Sequence, residues 1–385
     1  MHIKHLNLVN VRNYSSVDIS LKPGTNLLIG GNGEGKTTLV ESIIYSSLLK
    51  SHRVSSFIPM IQKGKTQALV RTLAGFQDRE NLIEVELNID SPNRAKVNRS
   101  DLARPREILG YIKTVFFTPE DRELVAGDPS DRRNFLDDLM LQFSPRLLAT
   151  QSEYDRALKQ RNSLLKTSRN LPKDSPGLST LYAWDESLVK LGSEIIAQRF
   201  ELVEKIKPLV TQIYKQISGD ERQAEIALVT SVLSSGLDVD EEEAVLTTTD
   251  RQWISEKFQA RLEELRPREL ERGITLVGPH RDDLKLMLGE FPAKGYISYG
   301  EGWSYAIALK LASAQLLRTE SQSGDPILIL DDVFSSLDDM RLQGLMNLIS
   351  DYEQVIITDA IRGNQTLFDS CSIFEIKDGQ VTQLQ

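Results

Sequence analysis

A glycine-rich stretch followed by Lys and Thr is the first part of the sequence whose residue types and spacing suggest chemistry. The stretch GGNGEGKTT fits the pattern G-x-x-x-x-G-K-[ST]. Its glycines let the backbone wrap with N–H groups toward phosphate oxygens, while Lys36 supplies a positive charge and Thr37 a hydroxyl for Mg²⁺. An apolar run precedes the stretch and a helical pattern follows it, as this site requires. The predicted nucleotide-binding residues are Gly30, Gly31, Asn32, Gly33, Glu34, Gly35, Lys36, Thr37 and Thr38.

A second stretch, PILILDDVFSSLDD, supplies acidic side chains at the end of an apolar run. Four apolar residues of this kind indicate a buried parallel strand. Asp331 is then placed to bind Mg²⁺, directly or through water, and Asp332 to orient the water that attacks the γ-phosphate. The alternative is a strand that ends in a solvated acidic turn. The presence of the phosphate loop in the same chain favours the metal and catalytic roles.

A third stretch, GYISYGEGWSYAIALKLA, combines a Ser- and Gly-rich turn with a helical pattern. Ser298 and Gly300 would lie at the helix N-terminus, where backbone N–H groups attract an anion. A simple helix-capping turn is the alternative. If two copies face each other, the loop of one copy and the turn of the other can hold one triphosphate. We therefore expect an ATP-dependent homodimer with ATP in the interface.

The elements that must position these stretches fall into three parts of the chain. Strand patterns dominate the beginning, in IKHLNLV, SVDISL, TNLLIG and LIEVELNI, and return near the end, in GITLVG, DLKLML, PILILDD and QVIITDA. Between them, apolar residues at helix spacing predict long helices interrupted at Pro208. The predicted fold is an α/β P-loop NTPase head, a mixed sheet with flanking helices, formed by residues 1–130 and 273–385. Residues 131–272 are predicted to form an inserted all-helical lobe.

Composition excludes several classes of protein. A single cysteine among 385 residues rules out a disulfide framework and suits a reducing cytoplasm. No apolar run reaches the ~20 residues of a membrane span. The net charge of −9 argues against a uniformly basic nucleic-acid coat, but it leaves room for local basic patches.

The order of these stretches resembles ABC-type ATPases, in which a signature LSGGQ precedes an acidic strand. Here ISYGE takes the signature position and SSLD resembles the D-loop. Within that superfamily the chain resembles the RecF family of bacterial repair proteins, through LNLVNVRNY, GKTTLVESIIYSSLLKSHR, VFFTPEDRELVAGDPSDRRNFLD and GITLVGPHRDDLKL. The resemblance spans almost the whole chain and is weakest over residues 151–264.

This resemblance implies a head like those of Rad50 and SMC proteins with a short helical arm. It implies ATP-driven dimerisation on duplex or gapped DNA and work with RecR and RecO to load RecA. By position, Arg12 and Asn13 would approach the nucleotide, and Asp338 would lie at the dimer interface. Ser298 and Gly300 would contact the γ-phosphate of the partner's ATP.

Three departures from transport ATPases predict slow hydrolysis. Thr118 lies near the position of their Gln, Asp332 replaces their catalytic Glu, and Asp359 replaces their switch His. A shorter acid holds the attacking water less closely. Two other functions stay open. One is a scaffold that binds ATP without hydrolysing it. The other is the ATPase subunit of a transporter, although this chain lacks the Gln and the switch His that such subunits usually carry.

DNA contacts are predicted from basic residues without a sequence-specific motif. For each of them, a solvated surface or an ion pair is the competing interpretation. The segment GPHRDD is distinctive, but the sequence assigns no role to His280 or Arg281. The candidate basic positions are Lys63, Lys65, Arg71, Arg99, Arg104, Arg106, Arg132, Arg133, Arg156, Lys159 and Arg161.

Overall fold

The computed structural model describes residues 1–168, 176–236, 244–321, 324–360 and 371–384. Its strands, in chain order, are β1 (His2–Val11), β2 (Tyr14–Ser20), β3 (Gly24–Ile29), β4 (Gln67–Phe76), β5 (Arg79–Asn88), β6 (Arg94–Val97), β7 (Ser100–Asp101), β8 (Thr114–Phe117), β9 (Ala224–Val229), β10 (Asp283–Leu288), β11 (Phe291–Pro292), β12 (Ile327–Asp331), β13 (Gln354–Asp359), β14 (Cys371–Lys377) and β15 (Gln380–Gln383). Its α-helices are α1 (Lys36–Leu48), α2 (Glu123–Ala126), α3 (Pro129–Phe143), α4 (Leu147–Ser168), α5 (Pro176–Ser218), α6 (Arg251–Arg272), α7 (Ala293–Tyr296), α8 (Tyr299–Glu320) and α9 (Asp339–Ile349). Within these ranges no helix combines the length and the apolar content needed to cross a bilayer.

The chain divides into two compact units. The first comprises Met1–Arg122, Ile213–Asp220 and Tyr299–Gln385, and the second comprises Glu123–Gln212 and Glu221–Ser298. Residues 273–298, expected in the head, thus belong to the second unit. They do so because β10 pairs with β9 and β11 in a separate three-stranded sheet.

Two six-stranded sheets form the first unit. One is antiparallel, with the order β2-β1-β4-β5-β6-β7, and the other has the order β15-β14-β3-β13-β12-β8. In the second sheet β14, β3, β13, β12 and β8 run parallel. The strand β12 is buried along its length, which explains why its sequence is a continuous apolar run and not an alternating one.

Helix α1 packs between the two sheets of the first unit. It contacts β1, β4 and β5 of the antiparallel sheet and β8, β12 and β13 of the other. Its polar side chains are satisfied inside the core: Ser42 donates to the Thr38 carbonyl, and Ser46 and Thr72 share a hydrogen bond of 2.9 Å. Because α1 is enclosed in this way, its first residue, Lys36, is fixed at the carboxyl end of β3.

The second unit contains long helices and one small sheet. The strand β9 lies within the segment predicted to be all-helical, and it pairs antiparallel with β10, with Ala224 opposite Leu288. Its sequence, AEIALV, alternates buried and less buried residues, as a half-covered strand does. Helix α5 continues through Pro208, where an interruption was predicted, because its apolar side chains stay buried on both sides of the proline.

The segment GITLVG, predicted to be a strand, has no strand structure. The N–H groups of Thr275, Leu276 and Gly278 donate to side chains and not to a neighbouring strand. The Thr275 N–H donates to Asn162 Oδ1 at 2.7 Å, and the Gly278 N–H donates to Ser231 Oγ at 2.9 Å. Side chains therefore satisfy the backbone where a sheet would otherwise do so.

Candidate nucleotide-binding site

The loop between β3 and α1 has a backbone that only glycine fits at two positions. Gly35 has a φ of 113°, and a Cβ added there would lie 2.6 Å from Tyr14 Oη and 2.7 Å from Asn13 Nδ2. At Gly30 an added Cβ would lie 2.3 Å from the Ile376 carbonyl oxygen of β14. The loop is therefore packed tightly against β14 and against the turn after β1, which holds its shape.

Lys36 lies across this loop with its side chain almost fully buried. Its Nζ donates to the carbonyl oxygens of Gly30 at 2.7 Å and Gly31 at 2.9 Å. An ammonium group has three donors, so these two bonds leave capacity for a phosphate oxygen. The lysine thus places a fixed positive charge at the N-terminus of α1, where the helix dipole also favours an anion.

The turn after β1 contacts the loop through Asn13. Its Nδ2 donates to the Glu34 carbonyl at 3.1 Å, and its Oδ1 accepts from the Thr38 hydroxyl at 3.3 Å. The neighbouring Arg12 instead pairs with the fully buried Glu41 of α1 through two hydrogen bonds of 3.0 and 2.6 Å. Asn13 therefore bridges the two ends of the loop, while Arg12 anchors the turn to the helix.

Asp331 joins the end of β12 to the start of α1. Its Oδ1 accepts hydrogen bonds from the hydroxyl groups of Thr37 at 3.1 Å and Thr358 at 2.6 Å, and His52 Nε2 lies 3.7 Å from its Oδ2. Burial would raise the pKa of Asp331, but His52, Thr358 and Thr37 together hold that pKa below its usual range. The carboxyl group is therefore ionised at neutral pH.

Thr37 and Asp331 together fit a magnesium ion. Both offer hard oxygen ligands, and their hydrogen bond shows that the two groups already meet. Among the described residues there is no cluster of three or more His, Cys, Asp or Glu side chains that could hold a metal alone. Such an ion would therefore take its remaining ligands from water and from phosphate, as Mg²⁺ commonly does.

Asp332 follows directly and has a different environment. Its side chain is exposed, its φ is 56°, and its N–H donates to Thr358 Oγ1 at 3.1 Å. Partial burial and the neighbouring charge of Asp331 raise its pKa, against the attraction of Lys36. Two adjacent carboxyl groups thus have pKa values shifted in opposite directions. This arrangement is typical of a metal ligand beside a group that exchanges protons.

Of the predicted signature turn, Gly300 lies beside Arg341, and Arg341 pairs with Asp338 of the predicted D-loop. Ser298 immediately precedes α8, and Gly300 lies in its first turn. An added Cβ at Gly300 would lie 3.0 Å from the guanidinium carbon of Arg341. Arg341 donates to Ser304 Oγ at 2.9 Å and pairs with Asp338, whose carboxylate also accepts from the Arg341 N–H at 3.0 Å. Arg341 therefore connects the beginnings of α8 and α9.

Sequence reasoning missed three side chains at these positions, namely His52, Thr358 and Arg341. One signal was present: β12 and β13 are neighbours, and Thr358 stands in register with Asp331. For His52, the contact with Asp331 joins residues far apart in the chain, and no spacing indicates it. Nothing in the sequence assigns Arg341 to the first turn of α8.

Two of the three positions that differ from transport ATPases, Thr118 and Asp359, are buried in the first unit. The Thr118 N–H donates to Asp121 Oδ2 at 2.9 Å, and Asp121 pairs with Lys310 at 3.0 Å. Asp359 is the last residue of β13 and is also buried. Thr118 and Asp359 are therefore packed inside the first unit, at the positions where transport ATPases carry Gln and His.

Two of the basic residues considered for DNA binding are not available to DNA. Arg132 is buried and pairs with Asp283 through two hydrogen bonds of 2.7 and 2.8 Å. Arg161 is fully buried and pairs with Asp185 and Glu269. Their inclusion as candidate contacts was wrong, because the sequence does not show the carboxylates that fold against them. Arg71 also pairs with Glu84 at 2.9 Å. The candidates that are exposed are Lys63, Lys65, Arg99, Arg104, Arg156 and Lys159.

The segment GPHRDD is part of the packing of the second unit. His280 Nδ1 lies 2.7 Å from Tyr154 Oη, and burial lowers the pKa of His280 to about 3. Asp282 Oδ1 accepts from Thr230 Oγ1 at 2.9 Å, and burial raises the pKa of Asp282 to about 6. His280 and Asp282 therefore have structural contacts, whereas Arg281 is exposed.

Comparison with known proteins places the chain in a family. A profile described as the RecF/RecN/SMC N terminal domain matches residues 2–378. The chain is 44% identical over 364 residues to the DNA replication and repair protein RecF of Streptomyces avermitilis, covering 94% of each chain. It is also 44% identical over 389 residues to RecF of Clavibacter michiganensis, covering 99% of this chain and 96% of that protein.

Solved structures agree with the sequence comparison. The fold matches a structure described as the recombination mediator protein RecF with ATP in the RecFOR pathway, with a TM-score of 0.88 and 30% identity over 100% of this chain and 98% of the other. An Smc head domain from Pyrococcus furiosus matches with a TM-score of 0.54 and 17% identity, which shows a shared ABC-type ATPase head fold. The chain belongs to the RecF family of DNA replication and repair proteins.

Proposed function

We propose that this chain binds ATP with Mg²⁺ at the loop Gly30–Thr38 and hydrolyses it slowly. The observation that carries the proposal is the hydrogen bond between Thr37 and the ionised Asp331, beside a loop crossed by the buried Lys36. A relative 30% identical over the whole chain has been solved with ATP, which supports the same ligand here.

Different residues of this chain would have different roles in phosphoryl transfer. The loop N–H groups and Lys36 would bind the phosphates, and Thr37 and Asp331 would hold Mg²⁺, which would supply positive charge to neutralise the phosphates. Asp332 orients a water molecule for attack and accepts its proton, a role that its raised pKa favours. Turnover is slow because aspartate is one methylene shorter than glutamate and Asp359 stands in place of a histidine.

The same nucleotide would join two copies of the chain. Ser298 and Gly300 of one copy would contact the γ-phosphate bound by the loop of the other, and Asp338 would lie at the interface. Arg12 and Asn13 would support the nucleotide from the turn after β1. ATP binding would thus favour the dimer, and hydrolysis would release it.

The dimer would act on DNA in the cytoplasm, without a membrane partner. We infer binding to duplex and gapped DNA with little sequence preference, through phosphate contacts from exposed lysines and arginines. Solved relatives are described as recombination mediators of the RecFOR pathway, which supports RecR and RecO as partners. The resemblance to the RecF family implies RecA as the protein that they would help to load.

Replacing Lys36 with Arg tests this function against that of a scaffold that does not hydrolyse ATP. The expected result is retained ATP binding, measured by isothermal titration calorimetry, with turnover reduced at least tenfold and with loss of RecA loading on gapped DNA. Arginine keeps the charge, but its planar group does not match a lysine site. If RecA loading continues unchanged while turnover is lost, hydrolysis is dispensable and the scaffold is the better description.

A further inference from the structure

Four arginines line one cavity in the second unit. The cavity has a volume of about 470 Å³. Arg133 comes from α3, Arg261 and Arg272 come from α6, and Arg281 follows Pro279 in a short 3₁₀ turn. The volume lies within the range of about 300–1,000 Å³ that is usual for small-ligand sites. None of its lining residues belongs to the loop or to the acidic strand end of the nucleotide site.

The positive charge of this cavity is only partly balanced. Arg261 pairs with Glu264 at 2.6 Å, but Arg133, Arg272 and Arg281 make no ion pair with a carboxylate among the described residues. Among the described residues that line the cavity, one carries a carboxylate, namely Asp128, and its side chain is exposed. Three like charges around one cavity repel one another, and an anion would remove that repulsion.

Arg133 shows the effect of this imbalance most directly. Its Nη1 donates to the backbone carbonyl of Asp282 at 2.8 Å and not to a carboxylate. Burial and the nearby Arg199 lower the pKa of Arg133, although Asp283, Asp282 and Asp137 act in the opposite direction. Neighbouring carboxylates therefore do not fully compensate the charge of this half-buried guanidinium. Such a group would be stabilised by a bound anion.

The shape of the ligand follows from the type of cation. His280 also lines the cavity, but it is neutral because burial lowers its pKa to about 3, so the charge resides on guanidinium groups. Guanidinium presents a planar fork of donors that matches phosphate oxygens in pairs. Several guanidinium groups that converge on one cavity suit a group with several oxygens better than a single carboxylate.

We propose that this cavity binds a phosphate group, as a second anion site distinct from the ATP site. The phosphate can belong to the DNA backbone, in which case the inference rests on the DNA binding proposed above. It can instead belong to a free polyphosphate or nucleotide. The chemistry is the same for both sources, and experiments can separate them.

The test compares two variants of the full-length chain. The double variant Arg272→Gln, Arg281→Gln removes two exposed charges that make no ion pair with a carboxylate among the described residues, so its melting temperature should be no lower than that of the wild type. The matched control is Arg268→Gln, which removes an exposed charge from the same helix, α6, but does not line the cavity. Circular dichroism melting of all three proteins checks that they fold alike.

The first measurement is duplex DNA affinity as a function of salt, by fluorescence anisotropy. If the cavity holds backbone phosphate, the double variant should show a log–log slope shallower by about 1.8 and binding at least ~10-fold weaker at 0.15 M salt. Arg268→Gln should change the slope by much less. If Arg268→Gln loses as much DNA affinity as the double variant, the loss reflects the net charge of the protein and not a specific site in the cavity.

The second measurement titrates inorganic tripolyphosphate into each protein by calorimetry. Two sites are expected in the wild type, one in the double variant, and one in Lys36→Ala, which weakens the nucleotide loop instead. A lost tripolyphosphate site with an unchanged DNA slope assigns the cavity to a free phosphate compound. If the wild type does not bind DNA, the proposed DNA binding is wrong. The tripolyphosphate titration would still test whether the cavity binds phosphate. If neither slope nor stoichiometry changes in the double variant, the proposal is wrong.

Discussion

Gly33 and Gly35 both have positive φ angles, 86° and 113°, but their surroundings differ. A Cβ at Gly35 would collide with Tyr14 and Asn13, whereas nothing lies within 4 Å of a Cβ at Gly33. We predict that Gly33→Ala costs ~1–2 kcal/mol of stability from backbone strain alone. Gly35→Ala should cost more and weaken ATP binding at least ~10-fold, since the loop must also move.

Urea unfolding and titration with a fluorescent ATP analogue measure the two glycine effects. The pair is matched, because both substitutions add one methyl group to a residue with left-handed backbone in the same loop. Equal losses of affinity in Gly33→Ala and Gly35→Ala would show that the contacts with Tyr14 and Asn13 do not shape the site.

Asp331 and Asp332 are adjacent residues with different expected tasks. Asp332→Asn removes the proton acceptor but keeps the size of the side chain, so ATP should still bind while hydrolysis falls ~10²–10⁴-fold. A single-turnover assay with radiolabelled ATP measures this rate. Asp90→Asn, at an exposed position, serves as the control. Unchanged turnover in Asp332→Asn would assign the water-activating role to another residue.

At the scale of elements, the turn between α6 and β10 places two groups with opposite pH behaviour. The pKa of His280 falls from 6.5 to about 3, so between these values the unfolded chain binds a proton that the folded chain does not. This contribution to stability is lost as pH falls. The pKa of Asp282 rises from 3.8 to about 6, so the folded chain holds a proton that the unfolded chain releases. Its contribution is lost as pH rises.

Between about pH 4 and 6 these two contributions oppose each other. Of these two pH-dependent contributions to stability, Asp282→Asn retains only that of His280. The free energy of unfolding of this variant should therefore rise with pH more steeply than that of the wild type. The expected difference in slope is ~1.4 kcal/mol per pH unit. Urea unfolding at several pH values measures it, and His280→Gln should change the slope in the other direction. Parallel curves for wild type and Asp282→Asn would contradict the assigned protonation states.

These elements also show how far the sequence predicts the fold. The loop, β3 and β12 follow from local patterns, because glycine spacing and a continuous apolar run directly reflect backbone shape and burial on both faces. The segment GITLVG has the same apolar pattern but is no strand, since the Thr275 N–H donates to the side chain of Asn162, 113 residues away, and not to a neighbouring strand. Likewise, packing along α5 overrides the local preference of Pro208 to end a helix.

For the candidate site, the sequence predicts the residues that lie within short local motifs, such as the glycine-rich loop and the acidic end of β12. The sequence predicts Thr37 and Asp331 at one magnesium site. In the structure Thr37 Oγ1 donates to Asp331 Oδ1 at 3.1 Å, and their role as metal ligands stays a prediction. His52 and Arg341 were missed because they act through contacts that depend on the folded chain. The buried pairs of Arg132 and Arg161 were missed for the same reason.

At the scale of the whole molecule, the central claim is that ATP lies between two copies of the chain. The mass of one chain is 43.4 kDa, so dimerisation should double it in analytical ultracentrifugation. An arginine in place of Ser298 would block the contact with the γ-phosphate held by the other copy, and it leaves the sequence of the loop Gly30–Thr38 unchanged. Ser91→Arg introduces the same side chain on an exposed bend of the first unit and is the matched control.

The most direct test is therefore sedimentation of wild type, Ser298→Arg and Ser91→Arg with and without a non-hydrolysable ATP analogue. The wild type and Ser91→Arg should sediment as dimers only with the analogue. Ser298→Arg should remain at the mass of one chain while binding the analogue with unchanged affinity. A wild-type protein that stays monomeric when saturated with analogue, or a Ser298→Arg variant that dimerises equally well, would contradict the account.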